Sequence, residues 1–336
     1  MHTSQRMQMF FIFIHKNAYI FVANPLSVCF QKTRISRHFF HRFAFPFCRH
    51  TNIEITRKGN IQMKKVFGIC MALSLLFTGT AGATKLPDVN ISCKETAVHT
   101  ESTPYNWYCK HTKDHSQPPL DALFHFIKDS QTYFIDKNNT DYTAKEKVIY
   151  LTFDVGYENG NVAKTLDILR EKEVPAAFFV LEHVVEKNTD LIKRMADEGH
   201  LICNHTASHC DMSAVSNKED FAAELTALEK ACKDTAGVEV AKYYRPPEGR
   251  FSEQNLIWAN ELGYKTVLWS YAYMDWDNNA QPSAKASYEK VLAGTHNGEV
   301  LLLHPTSSTN AAILGDLIDA WKSEGFRFGT LDELCK

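Results

Sequence analysis

The 336-residue chain shows no internal repeat, no low-complexity tract and no wall-anchoring tail, which argues against a solenoid array or a disordered linker protein. Acid is nearly missing from the first 83 residues, where Glu54 stands alone against eleven Lys and Arg. Base is scarce in the remainder. From Thr84 onward, 26 of the 37 basic residues face 38 of the 39 acids, a formal net charge of −12. A body that acidic argues against non-specific binding to nucleic acid or to an anionic membrane surface. Long uncharged apolar runs are also few. In residues 1–62 the nearest approach, Met9 to Val22, is interrupted by His15-Lys16-Asn17 and is too short to span a bilayer. What is present, 44% hydrophobic and 12% aromatic residues, suits an ordinary globular core, and the length allows one large domain or two small ones.

Residues 1–62 are rich in Phe, His and Arg, show no clear period or capping pattern, and are expected to be unstructured. At Met63-Lys64-Lys65 a charged segment opens, followed by an apolar run from Val66 to Phe77 and a small-x-small site at Ala81-Gly82-Ala83. That is the form of an export signal. A signal peptide works from the true N-terminus, so translation is expected to begin at Met63. Residues 1–62 are then an upstream stretch read in error, and 63–83 are removed on export. The purine-rich codons of Arg57-Lys58-Gly59-Asn60 would suit a bacterial ribosome-binding site. The rival reading is a genuine basic N-terminal arm. Cys70 lies early in the apolar run and not at its end, which argues against a lipoprotein anchor, and no transmembrane anchor is expected in the mature chain.

The exported part keeps six cysteines: Cys93, Cys109, Cys203, Cys210, Cys232 and Cys335. An even count in an exported chain permits disulfides, with Cys93 and Cys109 the favoured pair; the alternative is that several are free and buried. Cys203 lies on a strand beside the candidate site, where packing competes with adventitious metal ligation. Residues 84–147 read as an N-terminal extension lying on the main domain, with an aromatic patch at Trp107-Tyr108 and an amphipathic segment near Leu120–Ile127.

From Val148 the pattern becomes regular. Short apolar runs at 148–153, 176–181, 200–203, 243–245, 265–269, 300–303 and 326–328 alternate with helical-period stretches at 161–172, 190–198, 219–235, 253–262, 284–294 and 309–323. Strands alternating with helices imply parallel βα units, and seven in succession imply a barrel. In barrels the chemistry gathers at the C-terminal ends of strands. Asp154 follows the first run, and Gly156 and Gly160 then release the backbone into a turn. Such a buried acid needs a partner or a use; capping the helix near Asn161 competes with catalysis. The later runs deliver His205 and His209, then Arg245, then Asp275, then His304. One such residue has a structural excuse; five ending alike are hard to assign to packing. The i,i+4 spacing of His205 and His209 would, on a helical turn, let both imidazoles share a metal, although a satisfied His pair is the commoner meaning of that spacing.

Thr152-Phe-Asp-Val-Gly156, His205-Thr-Ala-Ser-His209, Arg245-Pro-Pro-Glu-Gly249, Asp275-Trp276 and Leu301-Leu-Leu-His304 resemble, in order, the five motifs of the NodB-homology polysaccharide deacetylases, carbohydrate esterase family 4. The resemblance covers residues 148–336 and implies a distorted (β/α)7–8 barrel with an N-terminal extension. Leu151–Gly160, the Arg245–Ser252 segment and His115-Ser-Gln-Pro118 further resemble the PdaA-type branch, which removes the N-acetyl group of muramic acid and leads to the muramic δ-lactam of spore cortex. The resemblance implies Asp154 as general base, with Arg245 keeping it ionised. It implies His304 as general acid, oriented by Asp275, and a divalent ion (Zn, Co, Mn or Mg) on His205 and His209. Tyr157, Trp276 and Tyr271 could floor a sugar site, against core packing as the competing reading.

One departure stands out. Most members carry Asp after the base and PdaA-type enzymes usually Asn, completing the ligand set; this chain has Val155, which cannot ligate. A weakly held ion is therefore expected, with Glu158 or Asn204 able to offer an oxygen. The expected substrate is peptidoglycan glycan strands, attacked in the wall or the forespore intermembrane space, with prior action of an amidase as a further expectation. The alternatives are a deacetylase of glucosamine in peptidoglycan, chitin or xylan, or an inactive wall-sugar-binding relative.

Overall fold

The computed structural model describes residues 8–14, 17–24, 27–33 and 102–336. The chain divides into two units, Met1–Ser92 and Cys93–Lys336. In the first, β1 (Gln8–Ile14), β2 (Asn17–Asn24) and β3 (Ser27–Thr33) form an antiparallel meander, with Ile14 opposite Asn17 and Asn24 opposite Ser27. The rest of residues 1–62, expected to be unstructured, lies outside the described residues. Runs such as Phe10–Ile14 and Tyr19–Val22 are aromatic and β-branched, and suit pleated strands even where no two-residue alternation marks them. The signal-like segment 63–83 and Cys93 lie outside the described residues.

The second unit opens with β4 (Tyr105–Asn106), a 3-10 segment at Ala122–Asp129 and β5 (Thr132–Tyr133). It continues through β6 (Lys147–Val155), α1 (Asn161–Glu171), β7 (Ala177–Val180), α2 (Glu182–Lys187), α3 (Thr189–Asp197) and β8 (Leu201–Asn204). Next come α4 (Lys218–Ala231), β9 (Ala241–Tyr244), β10 (Arg250–Phe251), α5 (Glu253–Glu261), β11 (Lys265–Val267) and α6 (Ala284–Gly294). The last elements are β12 (Glu299–Leu303), α7 (Ser308–Ser323), β13 (Phe326–Phe328) and α8 (Leu331–Leu334).

An eight-stranded sheet runs β12-β6-β7-β8-β9-β11-β5, with β13 on the first residues of β6 and β7 on its last. All its pairings are parallel. The sheet curls into a half-barrel, and bridges at Tyr271–Leu301 and Ile135–Glu299 draw its ends together. This is the distorted barrel that the alternation of strands and helices predicts.

Two-residue alternation along β6 decides which side chain reaches the interior. Ile149, Leu151, Phe153 and Val155 pack outward with Leu166, Leu314 and Trp321 of the surrounding helices. Val148 and Tyr150 face inward with Phe179, Cys203 and Val267. All nine residues of β6 are buried, which explains its near-continuous apolar sequence.

The extension is part of the sheet and not merely laid upon it. β5 pairs with β11, and Trp107, Phe124 and Phe134 share a core with Phe251, Leu256 and Leu268. The Trp107 amide donates to the Gly249 carbonyl at 2.8 Å, and its indole N–H to the Trp269 carbonyl at 2.9 Å. Gln117 of the His115–Pro118 segment donates its amide to the carbonyls of Asp136, Asn139 and Asn297. That segment therefore ties the extension to the start of β12. Cys109 is a free thiol whose Sγ donates to the Trp269 carbonyl, so the favoured disulfide with Cys93 is not seen.

Candidate active site

Asp154 is the second-last residue of β6, and alternation turns it toward the interior with Thr152. It does not cap α1. The amides of Gly160 and Val162 go instead to the two carboxylate oxygens of Glu158, at 2.7 and 3.1 Å. Asp154 meets Arg245, one residue beyond β9, whose Nη1 donates to Oδ1 at 2.7 Å. Arg245 is fully buried, and its remaining donors reach the Val267 carbonyl, Thr152 Oγ1 and the Leu268 carbonyl. Its guanidinium lies 4.1 Å from the centre of the Phe179 ring. A buried cation satisfied on this many sides has a fixed position and a permanent charge. Burial alone pushes the Asp154 carboxyl up in pKa, but Arg245, aided by His205 and His304, holds it below its ordinary value.

His205 follows β8. Its Nδ1 bonds the Arg245 carbonyl at 2.9 Å, so that nitrogen carries the proton and Nε2 keeps its lone pair. Burial, with the nearby charges of His209 and Arg245, lowers its pKa to about 4, so the ring is neutral at neutral pH. The rings of His205 and His209 lie 5.1 Å apart, edge to face. The pair does not sit on a helical turn as its spacing suggests. Thr206 and His209 both adopt positive φ (74° and 58°), and a loop pinned by Thr206 Oγ1 on the His209 amide brings the rings together.

His304 follows β12, and its Nδ1 bonds Asp275 Oδ1 at 2.7 Å. Asp275 Oδ2 accepts the His304 amide at 2.8 Å and the Asn310 side-chain amide at 2.6 Å. Burial lowers the pKa of His304, but the bond to Asp275 and the fields of Asp275 and Asp154 outweigh it and raise the value above 6.5. The two principal groups are thus biased in opposite directions, Arg245 favouring the anion of Asp154 and Asp275 favouring the protonated ring of His304.

Asn310, Gln281 and Ser307 lie outside the five motifs, and Thr152 lies in the first of them without a role of its own. Gln281 donates to the Asp275 carbonyl at 2.8 Å and accepts from the Ser307 hydroxyl, which caps α7. The nearest sequence signal was the Ser-Ser-Thr-Asn run after His304, which reads as a helix cap and no more. Of the three proposed aromatic residues, Trp276 and Tyr157 are about half exposed, at 56% and 46%. Trp276 stands 6.0 Å from His304, and Tyr157 bonds Asn278. Tyr271 is buried, donates to the Lys290 carbonyl and stacks on His111 at 4.4 Å, so it belongs to the core and not to a sugar floor.

The sequence profile of the polysaccharide deacetylases matches residues 141–267. A Bacillus subtilis (strain 168) protein named peptidoglycan-N-acetylmuramic acid deacetylase PdaA is 36% identical over 272 residues, covering 81% of this chain and 96% of its own. The chain belongs to the polysaccharide deacetylase family. The solved structure of PdaA, a family 4 carbohydrate esterase, superposes on this deacetylase with a TM-score of 0.64 and 38% identity, covering 69% of this chain and 97% of that one. A Bacillus cereus peptidoglycan-N-acetylglucosamine deacetylase is 34% identical over 190 residues, covering 55% of this chain and 67% of its own. The deacetylase is accordingly a hydrolase, as its five ordered motifs imply.

Members of this family rely on a metal, so the donor set matters. His205 Nε2 faces Asp154 Oδ2 at 3.5 Å with the ring proton on the far nitrogen. Two acceptors facing each other at that distance repel unless a cation lies close by, and this fits a divalent ion at the imidazole pair. A third protein ligand is missing: among the described residues no three His, Cys, Asp or Glu side chains could hold one ion together. Val155 packs outward in the core. Neither suggested substitute is free. Glu158 serves the α1 amides, and Asn204 accepts the Thr206 amide while donating to the Leu225 carbonyl and the Tyr264 hydroxyl.

Proposed function

We propose that this deacetylase removes the N-acetyl group from muramic acid residues of peptidoglycan, as an exported enzyme whose product leads to muramic δ-lactam in spore cortex. The identity to PdaA across 96% of that protein supports the substrate class. The observation that carries the chemistry is the pair of buried contacts, Arg245 on Asp154 at 2.7 Å and Asp275 on His304 at 2.7 Å, which favour an ionised base and a protonated acid. Amide hydrolysis needs a base for the attacking water and an acid for the departing amine.

Asp154, held ionised by Arg245, takes a proton from water as that water adds to the acetyl carbon. His304, protonated and held through Nδ1 by Asp275, gives its Nε2 proton to the nitrogen as the C–N bond breaks. Acetate and a free amine result. His205 and His209 would hold the divalent ion, which supplies Lewis-acid polarisation of the acetyl oxygen. Trp276 and Tyr157, exposed beside His304 and on the loop after β6, offer apolar faces to a sugar ring. Export from Met63, and prior action of an amidase that strips the stem peptide, complete the reading.

The test is to incubate residues 84–336 with spore-type or amidase-treated glycan in the presence of Mg, Mn, Co and Zn, and to analyse the muropeptides. Acetate release from muramic acid is expected, and unchanged acetylation sinks the proposal. The Bacillus cereus relatives named for glucosamine favour a second reading, deacetylation of glucosamine. That reading predicts product on N-acetylglucosamine residues and none on peptide-free muramic acid.

A further inference from the structure

We propose that Asn310, in the first turn of α7, is a positioning residue for the proton donor, its amide holding Asp275 in the one pose that presents Oδ1 to His304. This rests on the general-acid role of His304 proposed above. Two of the three bonds to the Asp275 carboxylate come from His304 itself, through Nδ1 and the backbone amide. Those two alone leave the carboxylate free to rock with its own partner. The third, from Asn310 Nδ2 at 2.6 Å, comes from a separate element and ties Asp275 to the body of the barrel. The same Nδ2 donates to the His304 carbonyl at 3.0 Å, so one amide fixes both members of the pair.

The orientation of that amide is determined. Asn310 Oδ1 accepts from the Tyr273 hydroxyl, while Nδ2 faces a carboxylate and a carbonyl; a flipped amide would set oxygen against both. Asn310 is 2% exposed, and its backbone amide donates to Ser307 Oγ at 3.0 Å. Ser307 in turn donates to Gln281 Oε1, and Gln281 Nε2 donates to the Asp275 carbonyl. The bonds form a closed ring: Asp275, Asn310, Ser307, Gln281 and back to Asp275. Free rotation of Asp275 would cost most at the transition state, where its hold on the imidazolium matters.

The charged groups acting on His304 are Asp275, Asp154 and Arg245. Replacing Asn310 alters none of these charges, so a change in His304 reports the pose of Asp275. The experiment follows the His304 ring by NMR titration, without substrate, in Asn310→Ala and Tyr273→Phe. It pairs this with kcat and KM on acetylated glycan. In Asn310→Ala the loosened bond should let His304 titrate about one unit lower. Then kcat should fall on the order of tenfold while KM stays within about twofold. Tyr273→Phe, which frees the amide to flip, should shift the titration the same way by less. A His304 titration that matches wild type in both variants overturns the proposal. Should Asn310→Ala fail to fold, an unmoved titration in Tyr273→Phe overturns it alone. Because the titration needs no substrate, failure of the muramic acid reading leaves this result standing.

Discussion

At Asp154 and His304 the same burial acts on opposite charges, and a different partner corrects each. Arg245 restores the anion and Asp275 the cation. The rate should therefore follow a bell in pH. The base works only when ionised, and its pKa is depressed, so the acid limb should fall below the ordinary carboxylate range. The acid works only when protonated, and its pKa is raised, so the alkaline limb should lie above 6.5. A pH profile of kcat/KM without an acid limb contradicts the role of Asp154, and one without an alkaline limb contradicts that of His304. Asp154→Asn and His304→Ala should each lower kcat/KM by roughly 10²–10⁴ with the fold kept, as steady-state kinetics and circular dichroism would report. Arg245→Met should act differently, because it leaves a buried carboxylate without its cation. About 3–5 kcal/mol of stability should go, read by urea unfolding, and the acid limb should move to higher pH. His205→Ala and His209→Ala should each abolish zinc binding in calorimetric titration, against weak binding by wild type, since only two imidazoles serve the ion.

Among the elements, those with long uninterrupted patterns were legible and the short ones were not. β6, α6 and α7 fall where the apolar run and the helical periods place them, and β6, buried on both faces, must be apolar throughout. β5, β10 and α2 have six residues or fewer, and their form comes from the neighbours they pair with. The Arg245–Ser252 loop shows how such neighbours act. Gly249 has φ +64°, and a Cβ there would lie 2.6 Å from the Trp269 ring and 3.1 Å from Trp107. Gly249→Ala should therefore destabilise by about 1–3 kcal/mol and lower the melting temperature by several degrees in a thermal scan. The positive φ of Thr206 and His209 belongs to the same class of fact. Nothing in the spacing of two histidines distinguishes a helical turn from a strained loop.

For the whole molecule, the extension decides whether the barrel closes. β5 pairs with β11 at the end of the sheet, and Gln117 links the Asp136 and Asn139 carbonyls of the extension to the Asn297 carbonyl just before β12. A chain beginning at Val148 should lose cooperative unfolding in urea, whereas residues 84–336 should keep it. An intact transition in the shorter chain would return the extension to the accessory status its sequence suggested.

By itself the sequence determined the alternation of strands and helices, the family, and the six side chains that follow five of the strands. The first follows from local period, the family from five motifs in order, and the side chains from their places after strands. The tertiary structure alone decided that Tyr271 is core, that Val155 faces the helices, and that Asn310 stands over Asp275, 35 residues away. Those outcomes depend on which surfaces meet after the chain has closed, and a local pattern carries no record of that meeting.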